Sequence, residues 1–163
     1  MIGGPPGAAR GASGDERLWR LLAGAVRVAL VLVGLGPVWV PLAADLPGLS
    51  VVAHLLDGWY EFQCHRDPGR TIQLGALDLA VCTRCAGIYF GLGLGALALQ
   101  PRLGAWPLRA WVAGAALLMV LDVATESVGL RPAWAPLRLA TGLLLAYPVG
   151  VAVVLAARGA DSG

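Results

Sequence analysis

Three stretches of this chain, Val28–Ala44, Cys85–Pro101 and Leu139–Ala157, contain no charged residue at all. That feature restricts the fold more than any other. A soluble domain of 163 residues exposes a large share of its side chains to water and cannot hide three such runs. Composition agrees, with 58% hydrophobic residues and only 13% charged, where soluble domains carry about a quarter charged. The chain is therefore expected to be an integral membrane protein, and its first partner is the lipid bilayer. A formal net charge of +2 supplies no basic field for nucleic acid.

The apolar runs and their punctuation predict an all-α polytopic fold, four transmembrane helices in an antiparallel bundle. The expected spans are Leu21–Ala44, Leu77–Leu99, Ala110–Val128 and Leu137–Ala157. Each holds roughly 20 residues, enough to cross a hydrocarbon core of about 30 Å. Pro37, Pro41 and Pro148 fall inside spans as kink positions. Residues 1–16, rich in Gly, Ala and Pro, read as a disordered tail, and 159–163 as a short C-terminal one, leaving 17–158 as a single domain. The long tail, and the lack of a clean A-x-A pattern near Ala44, argue against a cleaved signal peptide.

The loop 45–76 is the most polar part outside the tail. Within it Ser50 is placed to cap a short amphipathic helix ending at Gln63. Val52, Leu55, Leu56, Trp59 and Phe62 form one stripe, with His54, Asp57 and Glu61 opposite, a spacing suited to the headgroup level. Arginine sets the orientation. With both termini cytoplasmic, Arg10, Arg17, Arg20, Arg27, Arg102, Arg109 and Arg158 collect inside, against Arg66, Arg70, Arg131 and Arg138 outside. This places a multi-pass protein in the plasma (inner) membrane with loop 45–76 on the extracytoplasmic face.

The topology brings scattered chemistry to that outer end. Both histidines and all three cysteines lie there. Cys82 and Cys85 are spaced i, i+3 for one helix face, with Asp78 and Tyr89 roughly in line, and Cys64-His65 precedes them. Cys64, His65, Cys82 and Cys85 make a Cys3His set of the kind that holds structural zinc. His54, Asp78 or Asp122 are alternative fourth ligands, and Arg66, Arg70 or Arg84 would offset the net negative charge. The competing chemistry is thiol redox, with a Cys82–Cys85 pair at a helix start exchanging with Cys64, a substrate thiol or a quinone-linked carrier. A third reading leaves the thiols structural or inert. Asp122 and Glu126, near the end of the third span, are expected to pair with Arg84 or Arg138 across helices. Gly87, Gly91 and Gly95 form a small-residue face offered to another helix, a second copy of the chain or a membrane partner.

The segments C-H-R-D-P-G-R-T at Cys64–Thr71 and C-T-R-C-A-G-I-Y-F-G at Cys82–Gly91 resemble the DUF2085 family of small predicted membrane proteins, a family without an assigned function. Asp122 and the R-x-x-T-G stretch at Arg138–Gly142 look like later parts of the same pattern. Val123 stands where that family carries glycine, and Trp134-Ala135 where it carries a polar pair. The resemblance implies that Cys64-His65 and Cys82–Cys85 form one signature. It supplies no activity, so three function classes stay open: a zinc-stabilised structural or accessory protein, a thiol–disulfide or quinone-linked oxidoreductase, and a small-solute transporter. Transport receives the least support, because the inner halves of the spans lack an acidic or histidine relay.

Overall fold

The computed structural model describes residues 8–64, 66–74, 77–98 and 104–159. Along the chain run α1 (Ala8–Ala43), α2 (Ser50–Gln63), a single 3-10 turn (Pro68–Arg70), β1 (Thr71–Leu74), β2 (Leu77–Cys82), α3 (Thr83–Leu97), α4 (Ala105–Ser127) and α5 (Ala135–Gly159). The protein is mostly helical, as the apolar runs require.

Three helices are long and apolar enough to cross a membrane among the described residues, over Arg17–Ala43, Ala105–Ser127 and Ala135–Ala157. The expected fourth span is different. Leu77–Cys82 is extended and pairs antiparallel with Thr71–Leu74, so helix begins only at Thr83. The 15 residues of α3 reach about 22 Å, short of the 30 Å or so of a hydrocarbon core. The fold is thus not purely α: a two-stranded hairpin stands at the head of α3. Thr71, Ile72 and Val81 supply the β-branched residues that favour it, and Leu79–Val81 are buried beside exposed Asp78.

The first helix also departs from expectation. It starts at Ala8, inside the stretch read as a tail, where Ala8, Ala9, Arg10 and Ala12 are strong helix formers. Residues 1–7 and 160–163 lie outside the described residues. In α4 the start moves back to Ala105, with Pro107 in the first turn where its missing N–H costs nothing.

Packing gives the helix directions. Built on Gly91, a Cβ would lie 2.6 Å from the Leu143 carbonyl oxygen, and the Gly87 and Gly95 positions meet Leu139 and Tyr147 in the same way. The contact residues of α5 rise with those of α3, so the two helices run parallel. Gly34 of α1 meets Gly93, and Arg27 donates to the carbonyl oxygens of Ala96 and Ala98, both at 2.6 Å. Helix α1 is therefore antiparallel to α3, and Arg27 satisfies its terminal carbonyls. Trp111 Nε1 donates to the Leu144 carbonyl at 3.1 Å, while Glu126 meets Arg138, which makes α4 antiparallel to α5. The helices alternate in direction, and the end of α1, start of α3, end of α4 and start of α5 share one end of the bundle.

The glycine face offered to a second copy is thus filled by α5 of the same chain. Changing Gly91 to leucine is expected to force α3 and α5 apart and lower stability by about 3 kcal/mol or more. Heating the detergent-solubilised variant and following its size-exclusion peak checks this, and an unchanged melting profile would contradict it.

Helix α2 folds back from the end of α1. It turns Ala53 and Tyr60 inward, with the Tyr60 hydroxyl donating to the Val33 carbonyl at 3.1 Å. Its apolar stripe faces outward instead: Leu55 is 71% and Phe62 88% exposed. A stripe left outside the protein core, directly after a long apolar helix, suits the headgroup level expected from its spacing.

Candidate metal centre

Each thiol is delivered by a different local structure. Cys64 is the extended residue that ends α2, its N–H donating to the Tyr60 carbonyl at 2.9 Å. Cys82 is the last residue of β2 and the N-cap of α3. Cys85 lies in the first turn of α3. The three sulfur atoms lie within 4.8 Å of one another, and all three thiols are free. The Cys82 backbone N–H donates to the Cys64 sulfur at 3.2 Å, which joins the end of α2 to the hairpin.

Cys64 is buried and the other two are partly so. Sulfurs bound to one zinc ion at about 2.3 Å each lie a little under 4 Å apart, so a small inward rotation of the side chains brings this set to ligand distance. Among the described residues the group consists of the thiols alone. His65 lies outside the described residues. The alternative ligands go elsewhere: His54 Nδ1 donates to the Ser50 carbonyl at 2.6 Å, and Asp122 is engaged by arginines.

The surroundings hold this arrangement. Tyr89 donates to Gln63 Oε1 at 2.5 Å and meets Tyr60 edge to face, with ring centroids 4.9 Å apart. Thr83 donates to the Arg70 carbonyl at 2.7 Å, tying the 3-10 turn to the start of α3. Arg66 does not serve the thiols; it grips Asp57, donating at 2.6 Å to Oδ1 and 3.1 Å to Oδ2. Arg70 pairs with Asp67 at 3.0 Å on the surface. Asp78 is exposed on β2. Removing the Tyr89 hydroxyl, as phenylalanine, is expected to cost about 1 kcal/mol, read as a lowered unfolding temperature in detergent with the fold retained. No change would mean the Tyr89–Gln63 bond does not hold α2 in place.

One residue along from Cys85's helix face, Arg84 reaches α4. It bonds Asp122 at 2.6 Å and approaches Glu126 at 3.5 Å. Arg131 also binds Asp122, and Arg138 binds Glu126. The Asp122 side chain is only 2% exposed. The expected pairings of Asp122 and Glu126 with Arg84 and Arg138 are present. Arg131 was not singled out by spacing. It follows the turn at Gly129, where φ is +74°, which folds it back against α4.

The family described as "Predicted membrane protein (DUF2085)" matches residues 64–152, more than half of the chain and all of the thiol and arginine cluster. The chain belongs to the DUF2085 family. A DUF2085 match beginning at Cys64 takes in all three thiols together with Arg84, Asp122, Glu126 and Arg138. The chain is also similar to the uncharacterized protein MJ1492 of Methanocaldococcus jannaschii, 32% identical over 95 residues, or 55% of this chain and 60% of that protein. The chain thus spans less than two thirds of that relative's length. No solved structure matches.

Proposed function

We propose that this DUF2085 protein is a multi-pass membrane protein carrying one structural or accessory zinc ion on Cys64, Cys82 and Cys85, with His65 as the fourth ligand. The observation that carries the reading is the convergence of three free thiols, from three separate local structures, within 4.8 Å. Zinc would lock the end of α2, the hairpin and the start of α3 into one rigid cap. Three thiolates and a neutral imidazole around zinc leave a net charge of −1. Among the described residues the ion pairs of Arg84, Arg131 and Arg138 are with Asp122 and Glu126, three positive charges against two negative. The surplus positive charge suits the proposed centre.

In this reading α3 is a short fourth span seated between α1 and α5, with its hairpin at the extracytoplasmic end. The arginine distribution supports both termini in the cytoplasm of the plasma membrane and the zinc site on the extracytoplasmic side. A thiol–disulfide role is the second reading, favoured by the free Cys82 and Cys85 thiols at one helix start.

Metal analysis of detergent-purified protein, with thiol counting before and after chelation, separates the two. The zinc reading requires about one zinc per chain and thiols that react only after a chelator is added. Metal-free protein with two thiols missing until reductant is added would support thiol–disulfide chemistry instead.

A further inference from the structure

A separate cavity of about 440 Å³ opens between the end of α1, α2 and the hairpin. That volume falls in the range of small-molecule sites, roughly 300–1,000 Å³. Its apolar floor includes Val40, Ala53, Leu79 and Ala80, all buried. The polar wall includes His54, Asp57, Arg66, Gln73 and Asp78.

The charges of this wall do not cancel. Asp57 and Arg66 neutralise one another, with the guanidinium also donating to the Asp57 carbonyl at 2.7 Å. Arg66 is held for this in a left-handed backbone conformation, φ +44°, the only non-glycine residue in that region among the described residues. Such strain persists where surrounding structure requires it. The Asp78 carboxylate has no ion-pair or hydrogen-bond partner among the described residues. It sits opposite Gln73 in the β1–β2 register, past the irregularity between Thr71 and Gln73; a bulge re-aims the side chains beyond it. A carbonyl only accepts, so the His54 nitrogen facing the Ser50 oxygen carries the ring proton, and Nε2 of the neutral ring is left as an acceptor. The unengaged groups include three acceptors, the Asp78 carboxylate, an imidazole nitrogen and the Gln73 amide oxygen, beside two donors, the Gln73 amide N–H and the buried Arg66 Nε; the one unpaired charge in the wall is that of Asp78.

We propose that this cavity binds a small amphiphilic organic cation, a primary ammonium carried on an apolar body. The ammonium offers three donors to Asp78, His54 and Gln73, and the apolar body covers Val40, Ala53 and Leu79. The paired Asp57–Arg66 wall presents no net positive charge to repel it. The inference is independent of the zinc reading, since no cysteine lines the cavity.

The test is calorimetric titration of the full chain in a non-ionic detergent with 2-phenylethylammonium, 2-phenylethanol and phenylacetate as probes. The ammonium is expected to bind saturably, and the alcohol and carboxylate at least about tenfold more weakly, the loss of one charge-assisted hydrogen bond. Asp78→Asn is expected to weaken the ammonium to the level of the alcohol. Glu61→Gln, at an exposed acid outside the cavity, leaves it unchanged. Since Asp78 is exposed, both variants should melt like the parent, so lost binding cannot be ascribed to unfolding. Equal binding of ammonium and alcohol, undiminished binding by Asp78→Asn, or no saturable binding to the parent would each overturn the proposal.

Discussion

Replacing Asp122 with alanine is expected to destabilise the protein by about 3–5 kcal/mol, the cost of leaving a buried charge without its partner. Asp122 is shared by Arg84 from α3 and Arg131 from the loop before α5. Its loss leaves three arginines facing Glu126 alone at one end of the bundle. Arg84 Nε is already buried without a partner among the described residues, so the guanidinium would be left with the 3.5 Å approach to Glu126. The expected readout is a large fall in yield and unfolding temperature in detergent. Removing Arg131 as well should recover part of the loss, because it relieves one of the orphaned charges. Parent-like stability of the alanine variant would mean that water reaches this cluster freely and that α4 is held by apolar contacts alone.

The second large effect is expected at the thiols. Serine at Cys82 or Cys85 should abolish stoichiometric zinc and lower the unfolding temperature by on the order of 10 °C. The single and double serine variants should melt alike, since one missing ligand already empties the site and the second loss adds nothing. Chelation of the parent protein should bring it to the same temperature. Acidification should act in the same direction, because the thiolates must be deprotonated to hold metal and proton competition releases it as pH falls. Additive losses, or a serine variant that melts like the parent with its metal intact, would contradict the shared centre.

Much of this was legible in the residues. The charge-free runs identified a membrane protein, and alternating directions brought Cys64 to Cys82 and Cys85, and Asp122 and Glu126 to their arginines. The start of α3 was not legible. A short apolar run such as Leu77–Cys82 fits a buried strand as well as a helix. What decides is its pairing with Thr71–Leu74, a partner that helical periodicity cannot reveal. The glycine stripe predicted a close approach correctly but not its occupant, because spacing says nothing about which helix arrives. Likewise the sequence separated two faces of α2 without showing that the small and aromatic residues Ala53 and Tyr60 turn inward while the larger apolar stripe stays outside. In a membrane protein both faces have an apolar place to go.

The cavity beside α2 was hidden for a related reason. Asp57 and Arg66 are nine positions apart and separated by the end of a helix, so no periodicity links them. Their pairing depends on the left-handed turn at Arg66.

The zinc proposal stands on Cys64, Cys82 and Cys85 sharing one metal ion. X-ray absorption at the zinc edge of the purified protein tests it directly. Three sulfur neighbours at about 2.3 Å and one nitrogen at about 2.0 Å are expected, with the sulfur count falling to two in any residual zinc bound by Cys85→Ser. Zinc coordinated only by oxygen and nitrogen, or protein that carries no zinc when its three thiols are fully reduced, would contradict it.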